Sequence, residues 1–158
     1  MDKKTEAPQT RYHRLLNILS RVLLIGTFAY LLLMWKHIPD RIPAHFDGAG
    51  EINRWGGKYE LIFCPVISVL MYLFIGFLEK YPEVWNTGVT ITLENRDRIY
   101  SILKNMIVTL KFILILIFSF ITINSSLARP LPGWFTAASL LMIFGPMVYF
   151  MILLFLKK

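Results

Sequence analysis

The residues with chemistry to offer crowd into one stretch, KHIPDRIPAHFDGAGEINRWGGKYE, at positions 36–60. His45, Asp47 and Glu51 fall within seven residues. Such hard or borderline donors could surround a metal ion or share a proton. A catalytic zinc needs three protein ligands and an open position. No HExxH or CxxC spacing supplies further ligands, and His37 lies across a proline-rich segment. No metal or other cofactor is therefore expected. Arg54, Trp55 and Lys58 combine an amphipathic ring with two cations, which suits an anionic headgroup or anchoring at a wet interface. Cys64 stands inside an apolar run just before Pro65 and reads as packing rather than as a nucleophile. No serine elbow or intramembrane pair of aspartates is present, so no catalytic residue is assigned.

What would hold these groups is a rigid loop. Pro39 and Pro43 fix backbone angles four residues apart and push Ile38 and Ile42 toward extended conformations. Gly48, Gly50, Gly56 and Gly57 permit turns that other residues resist. Rigid corners around mixed polar and aromatic groups predict a folded loop, a usual place for binding. The expected ligand-binding residues are Pro39, Pro43, His45, Phe46, Asp47, Gly50, Glu51, Trp55 and Lys58.

The loop sits between apolar runs. The 158-residue chain is 56% hydrophobic and 17% charged, against about 25% charged in soluble domains. A soluble enzyme, a disordered chain and a disulfide scaffold are all excluded on this composition, the last because Cys64 is the single cysteine. A membrane helix needs about 20 apolar residues, and four runs qualify. The expected division is a mobile tail at 1–14, spans at 15–35, 61–78, 106–123 and 134–156, the outer loop at 36–60, an inner segment at 79–105 and an outer turn at 124–133. The first run is expected to remain as an anchor, since no small-residue cleavage site follows it. The fold class is thus an all-α membrane protein of four transmembrane helices, with a structured extracytoplasmic loop between helices 1 and 2.

Charge supplies the orientation. Eleven of the 17 Lys and Arg residues fall on the side of the termini and five on the other, with Lys111 inside the third span. Positive residues favour the cytoplasm, so both termini are expected there. The +7 charge beside apolar runs reads as membrane orientation and not as nucleic-acid binding. Lys111, near the inner end of its span, is expected to snorkel to water, as is Arg21. In the inner segment, Ile99, Ile102, Leu103 and Met106 form a helical stripe running into the third span, while Thr87 to Leu93 alternates weakly. Pro146 is expected to kink the fourth span in a way that suits packing.

The loop pattern, with Pro39, Ile42, Pro43, His45, Phe46, Gly50, Trp55 and Lys58 in register, resembles the signature of a bacterial membrane family of unknown function. The resemblance covers about residues 20–80. The same module begins longer immunity proteins that protect bacilli against the cannibalism toxin SDP. Those proteins carry a second membrane module, for which this chain is expected to be too short. Where the family often has Asp, this sequence has Asn53, which removes a carboxylate. The resemblance implies a cell-envelope membrane protein with an immunity-like role and a peptide toxin or other envelope ligand as partner, beside the lipid bilayer. Two further readings stand alongside: a membrane enzyme acting on a lipid or cell-wall precursor through His45, and a transporter or channel subunit. The last would need to assemble as a homo-oligomer, because one chain offers few polar groups to line a path.

Overall fold

The computed structural model of the protein describes residues 7–86 and 88–157. Four long helices form as the apolar runs require: α1 (Arg11–Met34), α2 (Phe63–Leu78), α3 (Arg96–Ser126) and α4 (Phe135–Leu156). With the short 3-10 turns that extend α1 and α2, all four are long and apolar enough to cross a membrane. Between α1 and α2 the loop folds into two antiparallel strands, β1 (Arg41–Phe46) and β2 (Ile52–Gly57). The predicted four-helix architecture is thus observed, and its structured loop is a β-hairpin.

The helices α1, α2 and α4 all pack on α3. A helix with neighbours on several sides buries residues around its circumference, and α3 does so at Val108, Lys111, Ile113, Ile115, Ile117, Ser119 and Thr122. At 31 residues, α3 is about 46 Å long by the helix rise. It begins ten residues before the apolar run, absorbing the Ile99–Met106 stripe, so inner segment and third span are one continuous helix. Residues 88–93 form bends and the start of a turn, not a strand, and Thr87 lies outside the described residues. Pro146 lies within α4, which remains helical through it.

The expected mobile tail is corrected in part. Residues 1–6 lie outside the described residues, but α1 already starts at Arg11. Thr10 caps it: its hydroxyl accepts from the His13 amide, and Thr10 N–H donates to His13 Nδ1 at 3.1 Å. With Nδ1 accepting, Nε2 carries the proton and donates to Asn105 Oδ1 at 2.6 Å. Further polar contacts tie α1 to α3 along its length: Tyr12 with Thr109, Thr27 donating to Ser119, and Tyr30 with Ser126. In an apolar surround, association cannot draw on the hydrophobic effect, and such hydrogen bonds fix helix register instead.

Lys111 does not snorkel. Only 2% of it is exposed, and its ammonium donates to the carboxylate of Glu79 and to Asn17 Oδ1, with the Tyr72 ring 4.9 Å away. Glu79 is the residue that caps the end of α2, just past the second apolar run. Placed there, it reaches the base that α3 carries inward. A charge in apolar surroundings is tolerated when it is paired, and a carboxylate with two polar or aromatic companions meets that condition.

Candidate functional site

The hairpin is held at both ends. At its base, Ile42, only 1% exposed, packs with Leu31, Ile38 and Leu61, and Trp35 and Ala44 cover the cluster. Lys58 sits 5.0 Å above the Trp35 ring, and Tyr59 leans on the same ring at 5.5 Å. At the tip, Asp47 closes the turn: one carboxylate oxygen accepts from the amides of Ala49 and Glu51 at 2.9 and 3.0 Å. Gly50 adopts φ +90°, a conformation that favours glycine. The Leu131 amide donates to the Gly50 carbonyl at 2.8 Å, docking the tip on the turn between α3 and α4. A Cβ at Gly50 would stand 2.8 Å from the Leu131 carbonyl oxygen, so only glycine fits this approach.

Two irregularities shape the hairpin between its ends. Pro43 pairs with Trp55, His45 with Arg54 and Phe46 with Ile52, which leaves Ala44 and Asn53 each out of register. Such bulges twist a strand and re-aim its side chains. Pro43 is compatible with a strand because a two-stranded sheet consists only of edges. The bulged Asn53 accepts from His45 Nδ1 at 2.6 Å, since an amide oxygen can only accept. The ring is thereby oriented with Nε2 as its free lone pair. Arg54 pairs with Glu60 at 2.8 Å, and Glu60 also accepts from the Gly57 amide at 3.0 Å, fixing the strand to the start of the second span.

Under this hairpin lies a cavity of about 940 Å³. Its walls are largely apolar: Ile42, Pro43 and Phe46 from β1, Leu61, Phe63 and Cys64 from the start of the second span, Ile121 from α3, and Leu131 and Phe135 before and in α4. Phe46 also packs against the buried cluster of Ile113, Ile117, Leu131 and Phe135, so the strand forms a roof seated on the helix bundle. Polar groups are fewer: His45, Asp47, Arg54 and Glu60 on the hairpin side, and Thr122, Ser125 and Thr136 from the helices. An apolar slot with a polar rim accepts an amphipathic group, its chain inside and its head at the rim.

The nine sequence-predicted residues divide. Pro43, His45, Phe46 and Asp47 line the cavity. Gly50 and Lys58 hold the hairpin in place. Pro39 is exposed in the turn before β1, Glu51 contributes backbone bonds at the tip, and Trp55 is 44% exposed on β2; none of the five residues Pro39, Gly50, Glu51, Trp55 and Lys58 lines the cavity. His45, Asp47 and Glu51 do not converge: His45 is bonded to Asn53, and Asp47 is engaged by the turn. Among the described residues, no three His, Cys, Asp or Glu side chains are grouped to hold an ion. Ile121, Thr122, Ser125, Leu131, Phe135 and Thr136 escaped sequence reasoning, because only the packing of α3 and α4 under the hairpin brings them there.

Residues 22–69 match the family described as Domain of unknown function (DUF1648). These residues comprise most of α1, the whole hairpin and the opening of α2. An uncharacterized protein of Archaeoglobus fulgidus is 29% identical over 79 residues, covering 45% of this chain and 42% of that protein. The chain therefore spans less than half the length of this relative. No solved structure matches the chain. The chain is a multi-pass, membrane-type helical protein whose residues 22–69, from the middle of the first helix through the hairpin to the opening of the second, are similar to a domain of unknown function.

Proposed function

We propose that the hairpin and the cavity beneath it bind an amphipathic envelope ligand on the outer face of the membrane, both termini being cytoplasmic. The observation that carries the reading is the cavity itself: about 940 Å³ of mostly apolar space roofed by Pro43, His45 and Phe46. A membrane-active peptide toxin is the ligand class that fits best. Its apolar side chains enter the slot, and its polar groups meet His45 Nε2 and the exposed Arg54–Glu60 pair at the rim. Binding would protect the cell by sequestering the ligand, in line with the resemblance of the loop to the module that begins toxin-immunity proteins. His45 pairs with the amide of Asn53, which fixes the ring's orientation and leaves Nε2 to meet a ligand.

Challenge of a deletion strain with membrane-active peptides tests the reading. The parent gene is expected to restore survival, and His45→Ala/Phe46→Ala to fail while accumulating normally in the membrane. Equal survival with the double variant would count against a binding role for the loop.

A further inference from the structure

A second cavity, of about 920 Å³, opens at the opposite end of the bundle, where α1 begins and α4 ends, between α1 and α2 with α3 behind it. Each helix offers it a set of residues at helical spacing. Arg14, Asn17 and Arg21 are three and four apart on α1; Leu73, Gly76, Phe77 and Lys80 follow the same rhythm along α2 and just past it; Lys104 and Lys111 are two turns apart on α3. Five bases and one carboxylate therefore face one space, a net charge of +4 among the described lining residues.

That single carboxylate, Glu79, is engaged by the buried ammonium of Lys111. Lys104, itself buried, donates to the Ala7 carbonyl at 3.0 Å, which draws the segment before α1 over the cavity. Arg14, Arg21 and Lys80 are exposed around the opening, and Arg21 spends its Nε on the Asn17 carbonyl, leaving the rest of its fork available. Concentrated positive charge next to apolar walls attracts an anion more strongly than the same charges in water would. Two arginines favour a group with several oxygens in fork geometry, and a multiply charged anion offsets the net charge better than a lone carboxylate does.

We propose that this cavity is a phosphate site, taking a phosphomonoester or diphosphate group with Arg14 and Arg21 as the principal ligands and the Lys111–Glu79 pair as its floor. The group could be carried by a lipid, whose chains would run out over Leu73 and Phe77, both largely exposed on α2. It could equally belong to a soluble molecule entering from the water side. Basic pockets between helices at this level of a membrane suit phospholipid headgroups.

The test uses full-length protein in phosphatidylcholine nanodiscs. Pyrophosphate probes the soluble source by calorimetry, and phosphatidic acid doped into the nanodisc probes the lipid source by native mass spectrometry. At least one probe is expected to saturate, with affinity at least tenfold weaker in Arg14→Gln/Arg21→Gln and unchanged in Arg129→Gln at the other end of the bundle. Whichever probe saturates names the source. Lys80→Gln, an exposed single change, is expected to weaken binding about threefold and guards against misfolding of the double variant. Failure of both probes to saturate, or equal affinity in the parent and the arginine and Lys80 variants, would overturn the proposal.

Discussion

Replacing Gly50 by alanine tests how the hairpin is held over its cavity. At φ +90° an L-residue is strained, and the left-handed region costs roughly 1–2 kcal/mol for a residue with a Cβ. The new methyl would also stand 2.8 Å from the Leu131 carbonyl oxygen and 3.1 Å from the Leu131 Cβ. The nearest atom belongs to the backbone, so no rotamer change relieves the clash. The tip has to withdraw, and the 2.8 Å bond from the Leu131 amide to the Gly50 carbonyl is lost, a net loss of roughly 0.5–1.5 kcal/mol. Together these place the docked tip about 1.5–3.5 kcal/mol higher. With about 1.4 kcal/mol per factor of ten, opening at the tip becomes about 10- to 300-fold more frequent. Hydrogen exchange at the Leu131 amide in nanodiscs reads this directly. Gly48→Ala is the internal control: nothing lies within 4 Å of its added Cβ, and its effect should stay below about 0.5 kcal/mol. A Leu131 amide in the Gly50→Ala variant that exchanges within threefold of the Gly48→Ala variant would refute the docking.

Two other predictions concern the bundle. Lys111→Met and Glu79→Leu alone should each destabilise the protein by about 3–5 kcal/mol, because each strands a buried charge, whereas the double replacement should come close to the parent or exceed it; unfolding in detergent gives the cycle, and additive losses would contradict the pairing. In a Cys64→Ser background, cysteine at the exposed Gly48 should react with an impermeant maleimide on whole cells and cysteine at the exposed Glu94 should not; the reverse pattern would invert the topology.

Sequence legibility followed the length scale of the interactions. The apolar runs announced α1 to α4, since spanning depends on local composition alone. The turn at Gly50 was legible because glycine among polar residues marks one. The strands were not, because Pro43 and the glycines of RWGGK argue against a strand, and only a two-stranded sheet with bulges accommodates them. Lys111 reads in the sequence as a snorkelling base because Glu79 falls just outside the second apolar run, and only the antiparallel packing of α2 on α3 joins residues 32 apart. His13 reads as part of a tail for a similar reason: its partner Asn105 lies 92 residues away. Asn53 counted as a lost carboxylate in the sequence, yet in the fold it is what orients His45.

The central claim is that the cavity under the hairpin is a ligand site, and Cys64 is a native reporter inside it. The measurement is the rate of Cys64 modification by N-ethylmaleimide in phosphatidylcholine nanodiscs, with and without an acylated leucine–lysine peptide as probe. Saturating peptide should slow the reaction at least tenfold in the parent. In Thr136→Trp, where a large ring fills the slot, the peptide should have no such effect. A rate that the nanodisc-bound peptide leaves unchanged in the parent would contradict the account.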